Sequence, residues 1–180
     1  MVEREWADIE HRVRRMLDEQ EIRGVLARYC RGVDRMDRGV VESVYHPDAY
    51  EDHVQYRGPA VGLVDWALGE ALVPLTWTMH NLSTSIITVE GDVALAETYA
   101  VCYHGRPLDA GRERLSTVGI RYVDRFERRD GGPWLIADRV VVVEWRRDEE
   151  IDACRAQPSQ AVHGYRDHRD VIYERGHAAT

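Results

Sequence analysis

The stretch TWTMHNLSTSIITVEGDVALAETYAVCYH, residues 76–104, decides the fold. Its first half, Thr76–Val89, and its second half, Val93–His104, are rich in Thr, Ile, Val and Tyr, and Gly91-Asp92 between them is typical of a turn. The stretch therefore predicts a hairpin of two strands. Strands of this length favour a strongly curved sheet over a sandwich of short strands.

A second hairpin is predicted further along the chain. Its strands are Arg112–Arg128 and Trp134–Trp145, and its turn is Asp130-Gly131-Gly132. An extended segment, Ala49–Tyr56, precedes both hairpins. After Arg146 the sequence becomes polar and predicts an irregular tail that wraps the domain or reaches a neighbouring subunit.

Helices are predicted ahead of the strands. In Asp18–Asp37, apolar residues recur every three or four positions and predict an amphipathic helix. Glu3–Leu17 predicts a weaker amphipathic helix that forms a separate arm, and two further helices are predicted over Gly39–Tyr45 and Ala60–Leu72. Helices followed by an antiparallel sheet indicate an α+β fold. The helical face then packs into the concave side of the sheet and leaves an apolar cavity, which is the usual ligand site.

The composition excludes several classes of function. A net charge of -8 over 180 residues disfavours a nucleic-acid or anionic-membrane partner. No apolar run reaches the roughly 18 residues that span a bilayer. Met1–His11 also lacks the apolar core of a signal peptide, so we expect a cytoplasmic protein. All 24 basic residues are arginine, and the absence of lysine excludes Schiff-base catalysis and a P-loop lysine.

Two residues far apart in sequence are the candidate catalytic pair. Asp34 lies near the end of the predicted Asp18–Asp37 helix, and His80 lies in the first strand of the first hairpin. Strand alternation places His80 on one face with Leu82, Thr84 and Ile86, which predicts that it points inward. A carboxylate that holds an imidazole makes a general base near neutral pH without a metal or cofactor.

Each residue of the pair also has a structural interpretation. Asp34 could be a surface carboxylate paired with Arg31 or Arg38, because such charges are normally exposed. His80 could be a strand histidine that binds a backbone carbonyl. If the two side chains do not meet, little else in the sequence argues for chemistry.

Other aromatic and imidazole side chains are candidates for binding a substrate. His53 and His104 lie near the expected pocket mouth, and Tyr103 alternates with His104, so only one of those two neighbours points inward. Tyr29 lies on the apolar helix face, and Trp66 and Trp77 are expected to line or close the cavity. The groups His46-x-Asp48, Asp52-His53 and His163…Asp167-His168 lack a known ligand spacing, so neither a metal site nor a cofactor is predicted.

The order of elements and these motifs resemble the SnoaL-like branch of the nuclear transport factor 2 superfamily, over about residues 21–145. The resemblance implies a cone-shaped barrel, in which a strongly curved mixed or antiparallel sheet wraps around N-terminal helices. It divides the chain into a helical arm (1–20), the barrel (21–146) and a tail (147–180). In scytalone dehydratase and hexachlorocyclohexane dehydrochlorinase of this branch, a helix Asp supports a strand His that removes a substrate proton. Tyr29-x4-Asp34-x2-Asp37 and Met79-His80-Asn81 match those two positions.

The resemblance also implies roles for three further residues. His53 falls where the dehydratase has a water-positioning tyrosine, and Tyr122 falls near a polar pocket position of that enzyme. Arg139 falls where the dehydrochlorinase has an arginine that assists the leaving group. The predicted substrate-binding set is Tyr29, His53, Trp77, Tyr103, His104, Tyr122 and Arg139.

The leading hypothesis is a cofactor-independent lyase that acts on a small aromatic or polycyclic hydrophobic substrate. His80 would remove a proton, and water would leave, or formaldehyde would leave by a retro-aldol-like cleavage, assisted by His53, a tyrosine, Arg139 or water. One alternative is an isomerase or cyclase that uses the same base. Another is a non-catalytic binding module or the small subunit of a ring-hydroxylating oxygenase. Related enzymes are often trimers, so a homotrimer is expected.

Overall fold

The computed structural model describes residues 2–153 and 161–175. It begins with one long helix, α1, over Val2–Arg35. The two helices predicted over Glu3–Leu17 and Asp18–Asp37 are therefore a single helix, because no proline or cap interrupts the chain between them. Side chains 5–17 are exposed, whereas the helix buries one face from Ile22 onward.

Three shorter α-helices follow α1 within the described residues, and all three differ from the prediction, since the last lies in the tail that was expected to be irregular. Helix α2 covers Arg38–Glu42 and begins at Asp37, whose carboxylate accepts a hydrogen bond from the Val40 N–H at 3.2 Å. It ends early because Tyr45 already belongs to a strand. Helix α3 covers Ala60–Trp66 and continues as a π-helical turn over Ala67–Ala71, so the predicted Ala60–Leu72 helix has two parts. Helix α4 covers Val171–Glu174.

The strands form one six-stranded mixed sheet. Its order is β2-β1-β6-β5-β4-β3, and all neighbours are antiparallel except β1 and β6, which are parallel. This arrangement confirms the α+β class, but the sheet is open, with β2 and β3 as its edges. The strands are β1 Tyr45–His53, β2 Tyr56–Pro59, β3 Trp77–Glu90, β4 Val93–Pro107, β5 Arg112–Arg128 and β6 Trp134–Asp152.

Strand β6 is longer than predicted. The chain was expected to become irregular after Arg146, but β6 continues to Asp152 in register with β5. Charged residues here face solvent and pair across the strands, as Arg112 does with Glu150 at 2.8 Å. Backbone hydrogen bonds to β5 therefore continue the strand to Asp152. The sequence after Arg146 lacks the alternation of apolar and polar residues that would predict a strand there.

A β-bulge in β3 changes which residues face inward. The register between β3 and β4 shifts between Leu82 and Ser85. The predicted inward face of His80, Leu82, Thr84 and Ile86 is therefore wrong beyond Leu82, and Ile86 is 58% exposed. An extra residue in one strand reverses the side-chain alternation that follows it. His80 keeps its inward position because it lies before the bulge.

The core lies between the helices and the inner face of the sheet. Its members are mostly aliphatic and aromatic, among them Ile22, Leu26, Leu63, Phe126, Trp134 and Ile136. Each such side chain contributes about 1.5–3 kcal/mol of burial free energy, so α1 is held onto the sheet along its buried face. Within the described residues, no helix is both long and apolar enough to cross a membrane.

Candidate active site

Asp34 and His80 lie in contact. Asp34 is in the last turn of α1 and is buried. Its Oδ1 is 2.7 Å from His80 Nδ1 and accepts a hydrogen bond from the Thr78 hydroxyl at 3.1 Å. Its Oδ2 accepts the His80 backbone N–H at 3.0 Å. Because an ionised carboxylate only accepts hydrogen bonds, Nδ1 carries the proton of this contact.

The surroundings of His80 determine its charge. Burial alone would lower the pKa of His80, but the hydrogen bond to Asp34, aided by Cys102, outweighs burial and raises the pKa to about 10. The His104 ring meets the His80 ring edge to face, with centroids 5.7 Å apart. Burial, followed by the nearby His80 charge, lowers the pKa of His104 to about 4. These opposite shifts favour the imidazolium form of His80 and the neutral form of His104 at neutral pH.

A cavity of about 360 Å³ opens onto this pair. Its wall combines the side of α1 with β3, and consists of Ala27, Cys30, Arg31, Asp34, Arg35, His80 and Leu82. Burial raises the pKa of the Cys30 thiol far above its ordinary value, so Cys30 remains a protonated, uncharged wall residue.

A second cavity of about 300 Å³ also reaches Asp34. Residues from the end of α1 and the start of β3 form one side, and residues 163–166 of the C-terminal tail form the other. The tail is held there by the Arg35–Asp170 ion pair at 3.2 Å and by the Tyr173 hydroxyl, which donates to Asp37 at 2.7 Å. Residues 161–175 thus pack against the domain, which is one of the two alternatives predicted for the tail, although their place beside Asp34 was not predicted.

The structure separates the two neighbours Tyr103 and His104. His104 lies on the same sheet face as Cys102 and contacts His80, whereas Tyr103 is paired with the exposed Met79 on the opposite face. Of this predicted pair, His104 is the residue that belongs to the site. Trp77 lines the second cavity, and its indole N–H donates to Glu113 at 2.9 Å.

Three predicted binding residues form a separate buried group. The Arg139 guanidinium donates to both oxygens of Asp124 at 2.6 and 2.8 Å and lies 4.3 Å from the ring centroids of Tyr29 and Tyr122. Burial alone would lower the pKa of Arg139, but Asp124 raises it well above its ordinary value. Within the described residues, Arg139 Nη1 and the Tyr122 hydroxyl have no hydrogen-bond partner. Arg139 is thus a permanently charged group that is already paired.

His53 belongs to a second carboxylate–imidazole contact. Its Nδ1 is 2.7 Å from Glu51 Oε1, and its ring lies 6.3 Å from that of Trp66. Glu51 was not among the residues predicted for the site, although the spacing Glu51-x-His53 places both side chains on one face of a strand. Thr78 was not predicted either, although it shares the inward face with His80 by the same rule.

The pairs considered as metal ligands have other partners. His46 Nε2 contacts the Glu127 carbonyl at 3.0 Å, and Asp48 pairs with Arg129 at 2.7 Å. Across residues 2–153 and 161–175, no group of three His, Cys, Asp or Glu side chains is arranged to hold a metal ion.

Comparisons with known proteins agree with this architecture. An uncharacterized protein of Mycobacterium tuberculosis H37Rv is 29% identical over 131 residues, which cover 68% of this chain and 83% of that protein. The hexachlorocyclohexane dehydrochlorinase LinA type 3 of Novosphingobium barchaimii superposes with a TM-score of 0.66 at 17% identity, over 75% of this chain and 92% of that one. A protein of Novosphingobium aromaticivorans provisionally named a scytalone dehydratase superposes with a TM-score of 0.65 at 14% identity. The superposition covers 83% of this chain and 97% of that one.

Identities this low between the solved structures and this chain establish a shared fold. The model of the SnoaL-like domain family matches residues 14–140, which is most of the chain. The protein therefore belongs to the SnoaL-like domain family, with the nuclear transport factor 2 fold that its motifs predicted.

Proposed function

We propose that this protein is a cofactor-independent lyase in which His80, held by Asp34, is the general base. The contact between His80 Nδ1 and Asp34 Oδ1 at 2.7 Å carries the proposal. Thr78 and the His80 backbone N–H fix the same carboxylate, so the imidazole is held in one orientation. Two proteins that share this fold are named as a dehydrochlorinase and, provisionally, as a dehydratase. Both names describe elimination reactions, which supports an elimination as the reaction of this protein.

The reaction begins when neutral His80 removes a proton from a substrate carbon through Nε2. The electron pair of the C–H bond becomes a double bond, and a group on the adjacent carbon departs with its bonding electrons. If the proton comes from the hydroxyl of a hydroxymethyl group next to a carbonyl instead, the O–H electrons form the C=O bond of formaldehyde. The C–C bond then breaks, its electrons move to the substrate carbonyl as an enolate, and the His80 imidazolium returns the proton to carbon. Both routes are balanced without an oxidant, and neither uses an imine, which the lysine-free chain could not form.

The raised pKa of His80 has two opposing effects on catalysis. A more basic imidazole takes a proton from carbon more readily, but less of it is neutral at pH 7. Asp34 stabilises the imidazolium that forms. A base of this kind provides a rate increase on the order of 10²–10⁴, and positioning of the substrate provides the remainder.

The cavity and the fold support a small hydrophobic substrate. The wall of the 360 Å³ cavity has an apolar part, Ala27, Cys30 and Leu82, which would contact such a substrate. The remainder of the wall is Arg31, Arg35 and the Asp34–His80 pair, so the cavity is less apolar than the sequence predicted. We further propose a cytoplasmic homotrimer, from the sequence and from the apolar side chains exposed on the sheet, which include Met79, Leu95, Tyr99, Val143 and Trp145.

Turnover of a substrate panel tests the proposal. Small cyclic and aromatic ketones with a hydroxyl or chlorine on the β-carbon are incubated with the protein, and products are identified by mass spectrometry. We expect a loss of water or hydrogen chloride, with His80→Ala reducing turnover on the order of 10²–10⁴-fold. His11→Gln, on the exposed arm, is the matched control. Products of unchanged mass would instead support the isomerase, and undiminished turnover by His80→Ala would reject the base.

A further inference from the structure

One stripe of α1 forms most of the wall of the 360 Å³ cavity. The helix residues of that wall recur at spacings of three or four positions, and they are Ala27, Cys30, Arg31, Asp34 and Arg35. The first two are apolar and the last three are charged. Because a helix rises about 1.5 Å per residue, the wall changes from apolar to charged over about 12 Å along the helix axis. A ligand that lies along α1 therefore meets apolar side chains at one end and arginines at the other.

The charged side chains of the two cavity walls are mostly cationic, although the chain as a whole has a net charge of -8. Arg31, Arg35 and Arg166 line one or both cavities, and Asp34 is the one acidic residue among the described residues that line them. Its two oxygens hold the ring and the backbone N–H of His80. The excess of arginine over acid at the walls favours a ligand that carries a negative charge.

Arg35 is the arginine that lines both cavities. Its Nε pairs with Asp170 at 3.2 Å, but Asp170 belongs to neither cavity wall. The Arg35 side chain is 31% exposed, and within the described residues its two terminal nitrogens donate no hydrogen bond to the protein. Arg31 lies one helical turn earlier, with its guanidinium 5.6 Å from the centroid of the Tyr173 ring. A guanidinium binds a carboxylate through two parallel N–H···O bonds, so the terminal nitrogens of Arg35 suit such a group.

We propose that the substrate carries a carboxylate and that Arg35, with Arg31 beside it, binds this group. The proposal rests on the lyase function proposed above and names the substrate class of the same site, a single apolar ring that bears one carboxylate. The ring contacts the apolar part of the wall, Ala27 and Cys30, and the carboxylate lies at the arginine end. A volume of 360 Å³ is near the lower end of the range for ligand pockets, which fits one ring. Binding of the carboxylate then determines which C–H bond of the ring faces His80.

Binding of two unreactive ligands tests the proposal without requiring turnover. Benzoate and benzamide have nearly the same shape and differ in charge. NMR titration at one pH and ionic strength is expected to show that the protein binds benzoate on the order of 10-fold more tightly than benzamide, because hydrogen bonds to a charged group are the stronger ones. Arg35→Gln should remove most of this preference, and Arg31→Gln should reduce it. Circular dichroism checks that both variants fold.

Two control variants separate the charge of Arg35 from its contact with the tail. Arg12→Gln removes the same charge from the exposed arm of α1 and should keep the preference for benzoate. Asp170→Asn removes the acid that pairs with Arg35 and should keep or increase the preference. Equal affinities of the wild-type protein for the two ligands, or an unchanged preference in Arg35→Gln, would overturn the carboxylate site. A loss in Asp170→Asn as large as that in Arg35→Gln would overturn it as well, since attachment of the tail would then be the cause.

Turnover separates the failure of this proposal from the failure of the lyase. With a cyclic β-hydroxy ketone that bears a carboxylate, Arg35→Gln is expected to raise KM on the order of 10-fold, while KM for the matching carboxamide stays nearly unchanged. His80→Ala should lower kcat for both substrates. Equal KM changes for the two substrates would overturn the carboxylate site and leave the base intact. A protein that prefers benzoate but eliminates from neither substrate would reject the lyase, whereas the carboxylate site at Arg35 would stand.

Discussion

The protonation and orientation of the His80 ring depend on burial and on three neighbours, Asp34, Thr78 and His104. Burial lowers the pKa of His80, but the hydrogen bond to Asp34 raises it further in the opposite direction. His104 contacts the His80 ring, and burial lowers the pKa of His104, which favours its neutral form. Thr78 contributes by holding Asp34 Oδ1, so the carboxylate cannot rotate away from the imidazole. The protonation state of one residue is thus determined by contacts from α1, β3 and β4.

The pH dependence of turnover should report this arrangement. Because His80 must lose a proton to act as a base, we expect kcat/KM to rise with pH up to about 10 in the wild-type protein. Asp34→Asn removes the charge that raises the pKa and leaves burial, which lowers it, so the midpoint should move to lower pH. Asp65→Asn, which alters an exposed carboxylate paired with Arg38, is the control. Identical profiles for wild type and Asp34→Asn would contradict the assignment.

The elements that position the site depend on close packing between strands. Gly105 on β4 faces Trp77 on β3, and a Cβ built at residue 105 would lie 2.2 Å from the indole Nε1. That nitrogen donates to Glu113 on β5, so the indole ties three adjacent strands together at the second cavity. A side chain at position 105 cannot be accommodated without displacing the ring.

We therefore expect Gly105→Ala to destabilise the protein by about 1–3 kcal/mol, the usual cost of overpacking. Gly69→Ala is the matched control, because a Cβ there meets no atom within 4 Å. Urea denaturation measures the free energy of unfolding of both variants. A Gly105→Ala protein as stable as the Gly69→Ala protein would show that Trp77 moves without cost.

At the scale of the whole molecule, the Asp34–His80 pair couples stability to pH. The pKa of His80 is raised from an ordinary value of 6.5 to about 10, so the folded protein binds a proton that the unfolded chain releases over that interval. The stabilisation is complete below pH 6.5 and is lost as pH rises through about 10. The pair also joins α1 to β3, so its loss weakens the contact between the helical layer and the sheet.

The free energy of unfolding should accordingly fall between pH 6.5 and pH 10, with a contribution from this residue of at most about 1.4 kcal/mol per pH unit. His80→Gln removes the titrating group, so the free energy of unfolding of this variant should change less between pH 6.5 and pH 10. Chemical denaturation at several pH values measures the slope. A wild-type protein whose stability is constant over the interval would contradict the ion pair.

Sequence reasoning recovered the elements that depend on local pattern. The spacing of Ile22, Leu26 and Val33 predicted a helix face, and the Thr- and Ile-rich segments predicted the hairpins, because side-chain periodicity follows directly from backbone geometry. It could not locate the bulge after Leu82, since one extra residue leaves no trace in composition. The charged residues after Arg146 predicted an irregular tail, although backbone pairing with β5 extends β6 to Asp152.

The sequence by itself determined the approximate places of the long helix and of the two hairpins, the family and the chemical types available, including the absence of lysine. Only the tertiary structure decided that Asp34 reaches His80, that His104 rather than Tyr103 faces it, and that Glu51 holds His53. A periodic pattern is a property of neighbouring residues, whereas these contacts join residues brought together by sheet register. The charge that each group carries depends on burial and on partners, which exist only once the chain has folded.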